Sequence, residues 1–133
     1  MGINLFKNLL KMKKYALYEF DHDVWHIVDY ARTSMFLIEG RERALLVDTG
    51  MGRGNLKGFI RKITDKPLDV VITHAHWDHI GQAGQFEKVY MSEKEKELID
   101  LFNIKVDLSK FSYIEDGYIF DLGDRKLEVI EVP

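Results

Sequence analysis

The chain of 133 residues is long enough for one domain or part of a larger one, and its 46% hydrophobic and 31% charged residues are typical of a folded globular protein. Its formal net charge of −3 gives no electrostatic reason to expect a nucleic-acid partner. Because the chain has no cysteine, it has no disulfide framework, and any bound metal must be held by nitrogen and oxygen ligands.

Residues 1–14 combine apolar side chains with lysines. Lys7 and Lys11 interrupt the apolar stretch, so it lacks the continuous core of an export signal or of a membrane span. Its apolar residues recur at helical spacing, which predicts a short helix that docks on the domain. We therefore expect a cytoplasmic protein with no membrane association, whose main body is formed by residues 15–133.

The first part of that body reads as strands. Residues 24–30 form one strand pattern, and two further β-rich runs flank the turn residues Gly40, Arg41 and Glu42, which predicts a hairpin.

An amphipathic helix follows the hairpin. Apolar residues recur there at helical spacing, and Pro67 is expected to end the helix; the apolar residues are Leu56, Phe59, Ile60 and Ile63. Residues 68–73 then form a short, largely apolar strand of the kind that is buried on both faces.

The last third adds more of both elements. Residues 86–91 suit a strand, and Ser92 with Glu95 three positions later predicts a capping box that starts a helix at Ser92. Residues 116–132 read as two strands around a turn at residues 122–124. Strands and helices alternate without strict regularity, so we expect an α+β fold with a mixed sheet and helices on one outer face.

Four residues of metal-ligand type follow the buried strand within six positions: His74, His76, Asp78 and His79. In an extended segment, side chains two positions apart point the same way, so the first two histidines can converge on one point. If the chain then enters a helix near Asp78, the other two side chains turn toward a second point nearby. Imidazole and carboxylate groups are ligands of Zn²⁺, and Fe and Mn accept them too.

A cluster of surface histidines without any ligand role is the alternative explanation. One pair of histidines would leave that explanation the simpler one, but four ligand-type residues just past a buried strand favour a metal site. Gly81 and Gly84 fit this interpretation, because glycine lets the backbone turn tightly after the ligands.

The string "THAHWDHIG" resembles the HxHxDH motif of the metallo-β-lactamase superfamily of hydrolases. The earlier "ALLVDTG" is similar to another motif of that superfamily, and "DGYIFDLGDRKLEVIEVP" resembles the segment that leads into its Gly-His-Thr motif. The resemblance runs from about Val24 to the last residue. Gln82 is one departure, since many members carry a second glycine there, and we expect no effect of it on metal binding.

The resemblance implies a role for particular residues. His74 and His76 would be two ligands of one metal ion, and Asp78 and His79 two ligands of a second. Asp78 would also hold the attacking water. Asp48 would lie behind the site and orient the ligand loop.

The same resemblance implies a substrate cleft. The loop of residues 50–54 would border it, with Met51 as a contact, and Trp77 would pack beside the site or line the cleft. The substrate would be a small molecule with an ester, thioester, lactone, amide or phosphodiester bond.

The resemblance also implies an αββα sandwich, of which this chain holds only the N-terminal mixed sheet and its outer helices. The family's later ligands, two histidines and a bridging aspartate, lie beyond the motifs present here. We therefore expect a metal-dependent hydrolase domain that is incomplete, or else a catalytically inactive half-domain that binds metal or serves as a partner-dependent subunit. The uncovered inner sheet face predicts a homodimer or association with a C-terminal half.

Overall fold

The main feature of the fold is a seven-stranded mixed sheet. The computed structural model describes residues 15–52 and 54–131, with the backbone alone of Trp77; the helix expected in residues 1–14 lies outside the described residues. The strands of the sheet are β1 (Tyr15–Asp21), β2 (Val24–Asp29), β3 (Ser34–Glu39), β4 (Ala44–Val47), β5 (Leu68–Val71), β6 (Val89–Met91) and β7 (Phe111–Tyr113).

The strands of this sheet follow one another in sequence order, from β1 to β7. The pairs from β1 to β4 are antiparallel, and the pairs from β4 to β7 are parallel. The expected α+β class with a mixed sheet is confirmed. Strands β1 and β7 were not predicted, because β1 ends in exposed residues at an edge and β7 has only three residues.

The helices pack on one face of the sheet, as predicted. They are α1 (Leu56–Arg61), α2 (Trp77–Ile80) and α3 (Glu95–Leu101), with two short 3-10 helices at Ala83–Gln85 and Leu108–Lys110. Within the described residues, no helix is long and apolar enough to cross a membrane. The cytoplasmic location expected from the sequence stays a prediction. The core on this face unites the sheet with the helices through Ile27, Leu37, Leu46, Leu56, Ile60, Val70, Ile80, Val89 and Ile99.

Helix α1 is shorter than its apolar pattern predicted. It ends at Arg61, well before Pro67, because the chain leaves it through a tighter turn in which the Ile63 N–H donates to the carbonyl oxygen of Ile60 (2.9 Å). Ile63 still packs against the core, so its place in the apolar pattern reflects burial rather than helix.

The capping box predicted at Ser92 is wrong. Helix α3 begins at Glu95, and the Ser92 hydroxyl accepts a hydrogen bond from the Lys94 N–H (3.3 Å). The Glu95 carboxylate does not turn back to Ser92; its Oε2 accepts a hydrogen bond from the N–H of Ala75 (3.1 Å). A tertiary partner 20 residues away has replaced the local one.

A small hairpin covers part of the other sheet face. Its strands are β8 (Ile119–Asp121) and β9 (Lys126–Glu128), and they form a separate two-stranded sheet. The hairpin lies close to the turn before β4, where a Cβ added at Gly40 would overlap Leu122. A second apolar cluster forms beneath it, with Leu45, Tyr90, Ile114, Phe120 and Leu122 buried.

The rest of that face is open near β1. Tyr18, His26 and Phe36 occupy facing positions across β1, β2 and β3. Tyr18 is 57% exposed and Phe20 is 74% exposed. This face, opposite the helices, is the inner face of the expected sandwich. It is thus covered at its centre by the hairpin and uncovered at its β1 edge.

Candidate functional site

The predicted ligand residues lie on the connection from β5 to α2. This connection leaves the carboxyl end of a central parallel strand, where sites on such sheets gather. His76 precedes the first residue of α2, and its carbonyl oxygen accepts hydrogen bonds from the N–H groups of His79 (2.9 Å) and Ile80 (3.0 Å). The chain therefore enters a helix immediately after the second histidine, as the sequence predicted.

Three imidazole rings gather at this point. The centre of the His74 ring is 5.9 Å from that of His76, with the planes 13° apart, and 5.8 Å from that of His79. Asp78 Oδ2 lies 3.7 Å from His79 Nε2, and the two side chains are 43% and 27% exposed. Within residues 15–52 and 54–131, no three His, Asp or Glu side chains are grouped closely enough to hold one ion.

Asp48 connects the end of β4 to this loop. Its Oδ1 accepts a hydrogen bond from the Thr73 N–H (2.8 Å), and its Oδ2 accepts one from the Thr73 hydroxyl (2.7 Å). Oδ2 also lies 3.0 Å from His79 Nδ1. When the Asp48 carboxyl is ionised it can only accept, so a neutral His79 ring then carries its hydrogen on Nδ1 and its lone pair on Nε2.

Asp48 is largely buried and has an uncommon backbone conformation. Burial raises the pKa of its carboxyl, and the hydrogen bonds from Thr73 together with the nearby His79 oppose that rise. Its backbone has φ of 67°, a left-handed conformation that a residue with a side chain rarely adopts. Such conformations persist where surrounding contacts hold them, and they cluster at functional sites.

Asp29 holds the loop that the resemblance places at the cleft, and sequence reasoning did not single it out. This residue is buried, and its Oδ2 accepts a hydrogen bond from the Met51 N–H (2.8 Å). Its Oδ1 accepts from the N–H groups of Ala31 and Thr33, both at 2.9 Å. An aspartate before a turn carries such a local signal, but its link to Met51 does not appear in the sequence.

The two predicted cleft residues are only partly described. Met51 is half-buried, and its role as a substrate contact stays a prediction. The side chain of Trp77 lies outside the described residues, and so does Arg53, which follows Met51 in the cleft loop.

We expect Asp29→Ala to lower the free energy of unfolding by about 3 kcal/mol, because three backbone N–H groups lose a charged acceptor. Urea denaturation of the two proteins measures this. Asp65→Ala is the matched control, since Asp65 is exposed. Equal losses in the two variants would contradict the role given to Asp29.

Gly81 allows a close approach rather than the tight turn that was expected. Its φ of −55° is ordinary helical backbone. A Cβ at this position would overlap the nitrogen of Gly52 and lie 2.5 Å from the carbonyl oxygen of Gly50. The Gly81 N–H donates to that same oxygen (2.9 Å). The backbone that follows α2 is therefore in direct contact with the backbone of residues 50–52, the cleft loop. Gly84 has nothing within 4 Å of a Cβ.

Gln82 is more than a neutral departure from the family pattern. Its side chain is buried, with Nε2 donating to the Tyr15 hydroxyl (2.7 Å) and Oε1 accepting from the Leu56 N–H (3.1 Å). Gln82 therefore ties α2 to β1 and α1. The sequence signal was only a long polar side chain directly after the motif, since the burial of Gln82 and its partners, which are distant in sequence, appear only in the structure.

A cleft of about 410 Å³ opens beside His74. Its lining combines apolar side chains of residues 71–72 and 129–130 with the polar groups of Thr73 and Glu95. Lys94 and Glu131 form an ion pair (2.9 Å) at its edge. Concave space of this size next to the imidazole cluster is suited to a small ligand.

The fold and this cluster define an α+β protein whose candidate site lies at the carboxyl ends of parallel strands. A sequence model of the metallo-beta-lactamase superfamily matches residues 29–131, and the chain belongs to this superfamily.

Curated relatives include two kinds of hydrolase. The chain is 27% identical over 140 residues to the acyl-coenzyme A thioesterase MBLAC2 of Bos taurus, a match that covers 77% of this chain and 50% of the relative. It is 30% identical over 103 residues to the exodeoxyribonuclease WalJ of Streptococcus pneumoniae, with coverage of 70% and 38%. The chain spans about half the length, or less, of these relatives.

Solved structures share the fold. MEM-A1, a subclass B3 metallo-beta-lactamase isolated from a soil metagenome library, superposes with a TM-score of 0.74 at 15% identity, covering 92% of this chain and 54% of that one. LRA-12, a class B3 di-zinc metallo-beta-lactamase from an Alaskan soil metagenome, gives 0.71 at 19% identity, covering 91% and 53%. The structure is therefore a partial domain of this fold.

Proposed function

We propose that this chain carries the N-terminal ligands of a metal-dependent hydrolase site. His74 and His76 are two ligands of one metal ion, and Asp78 and His79 are two ligands of a second. The gathering of three imidazole rings, with His74 less than 6 Å from both others, is the observation that carries the proposal.

The donor set fits Zn²⁺ best, with Fe or Mn as alternatives. All four residues offer nitrogen or oxygen, and a di-zinc enzyme is among the structural neighbours. Asp48 supplies the outer contact that metal-binding histidines usually have, since its Oδ2 lies within hydrogen-bond distance of His79 Nδ1 (3.0 Å). Two ligands for each ion leave positions for water, substrate or a further protein ligand.

A water-activating role suits this arrangement. Held by these four residues, Zn²⁺ would lower the pKa of a bound water toward about 7 and polarise a carbonyl or phosphoryl oxygen. The half-exposed carboxylate of Asp78 accepts a hydrogen bond from the attacking water and orients it. The cleft beside His74 admits the scissile group.

The substrate is a small molecule with an ester, thioester, lactone, amide or phosphodiester bond. The thioesterase and exodeoxyribonuclease relatives support hydrolysis at a carbonyl or a phosphoryl centre. Because the chain spans about half of the thioesterase, the activity belongs to a protein or assembly that supplies the remaining ligands.

A catalytically inactive, metal-binding half-domain is the second candidate. It is favoured by one observation: within the described part of the chain, no group of three ligand side chains surrounds a single point. Such a subunit would bind metal and hydrolyse nothing until a partner completes the site.

Metal content tests the proposal. We expect one or two equivalents of Zn²⁺ per chain, by elemental analysis of protein purified without chelators. Hydrolysis of an activated ester by the same protein would favour the enzyme, and metal without hydrolysis would favour the half-domain. Metal-free protein that takes up no added Zn²⁺ would contradict both.

We also propose that the open sheet face near β1 is covered in the working protein, by a second copy of the chain or by a C-terminal half. The exposed rings of Tyr18 and Phe20 support this, because apolar surface of that kind is usually buried in a contact. Analytical ultracentrifugation of the 133-residue chain should reveal dimers at micromolar concentration, weakened by Phe20→Lys. Leu101→Lys is the control, since Leu101 on α3 is equally exposed at 74%. A monomer throughout would favour the C-terminal half.

A further inference from the structure

Helix α3 and the residue after it contact the ligand loop, residues 73–76, at two points. Glu95, its first residue, accepts a hydrogen bond through Oε2 from the Ala75 N–H (3.1 Å). One residue past its end, the ring of Phe102 meets the ring of His76 edge-on, with centres 6.0 Å apart. The helix that follows the next strand therefore touches both the backbone and a side chain of the histidine loop.

The Ala75 N–H occupies a sensitive place. Ala75 lies between His74 and His76 and is fully buried. The orientation of its peptide sets the direction in which both neighbouring histidines leave the backbone. A buried N–H needs a partner, and the Glu95 carboxylate is the partner it has.

Glu95 is held firmly enough to act as an anchor. Residues three and four positions along a helix share one face, and here they are Leu98 and Ile99. Ile99 is buried in the core, and Leu98 packs against it. The face of α3 that reaches the ligand loop is thus the one fixed to the sheet.

Two carboxylates from different elements accept hydrogen bonds from the ligand loop. Asp48, at the end of β4, holds the N–H and hydroxyl of Thr73. Glu95 holds the N–H of Ala75, two residues further on. We propose that Glu95 is a positioning residue, whose carboxylate fixes the peptide between His74 and His76 so that both imidazoles face one metal ion. This proposal rests on the proposed function.

Two measurements on the 133-residue chain test it. Zn²⁺ affinity is measured by competition with a chromophoric chelator, and the exchange rate of the Ala75 amide is measured by NMR on metal-free protein. The variants are Glu95→Ala and Glu95→Gln, which keeps an uncharged acceptor. Glu97→Ala is the matched control, because Glu97 is an exposed glutamate of the same helix.

We expect Glu95→Ala to weaken Zn²⁺ binding by about 10–100-fold, as loss of an outer contact does at other metal sites, and to speed Ala75 exchange. Glu95→Gln should fall between it and the control, and Glu97→Ala should match the wild type. If Glu95→Ala does not fold, Glu95→Gln must still bind Zn²⁺ more weakly than Glu97→Ala.

Equal Zn²⁺ affinity in Glu95→Ala and Glu97→Ala would overturn the positioning role. Rapid exchange of the Ala75 amide in the wild type would overturn the contact itself. A wild-type chain that binds no Zn²⁺ defeats the proposed function and with it the role of Glu95 in metal binding, a result distinct from either of the others.

Discussion

We expect replacement of His76 by alanine to weaken Zn²⁺ binding by more than about 100-fold, because loss of a proposed direct ligand should cost more than the roughly 10–100-fold that loss of an outer contact costs. His76 is exposed, and its ring lies beside that of His74. The variant removes one of the two proposed ligands of the first ion while the carbonyl of His76, which caps α2, is kept. Chelator competition with wild-type and variant protein provides the measurement.

His26→Ala is the matched control for this experiment. The imidazole of His26 contacts the Ser34 hydroxyl (2.8 Å) and stacks on Phe36 with ring centres 4.8 Å apart, on the open sheet face. Its loss should leave Zn²⁺ affinity unchanged. Equal weakening in both variants would mean that metal binds to histidines in general, and the proposed site would be wrong.

The second large effect concerns stability. We expect Gly81→Ala to lower the free energy of unfolding by about 3 kcal/mol, through crowding and the loss of a backbone hydrogen bond. The added methyl group would lie about 2.5 Å from the backbone of residues 50–52, so the loop must move away. That movement breaks the hydrogen bond from the Gly81 N–H to Gly50 and pulls on Met51, which Asp29 holds. Urea denaturation measures the change.

Gly84→Ala isolates the cause of this loss. Gly84 lies three residues further on, with nothing within 4 Å of a Cβ. Alanine there should change the unfolding free energy by less than about 1 kcal/mol, in the stabilising direction, since it restricts the unfolded chain. Equal stability of the two variants would show that the contact between α2 and the cleft loop is looser than the structure has it.

The position of the candidate site could be read from the sequence. An apolar run predicted the central strand β5, and the i, i+2 spacing of His74 and His76 placed two imidazoles side by side. The α+β class followed from the alternation of patterns, because strand and helix periods depend only on near neighbours along the chain.

Predictions from local patterns failed where a residue or strand distant in sequence provided the hydrogen-bond partner. Ser92 and Glu95 have the spacing of a capping box, yet the carboxylate bonds to Ala75 in another loop. The three-residue strand β7 forms because the edge of β6 is available to pair with it. Such short strands have too little pattern of their own to be recognised.

The chain sequence by itself determined the kind of fold, the family resemblance and the four residues proposed as metal ligands, all of which rest on residues close together in sequence. Only the tertiary structure decided what holds those residues in place. The carboxylate of Asp48 accepts a hydrogen bond from Thr73, and that of Glu95 accepts one from Ala75. Gly81 lies against the loop of residues 50–52. These contacts join segments 20 or more residues apart, and folding must bring the segments together before a buried N–H can select its acceptor.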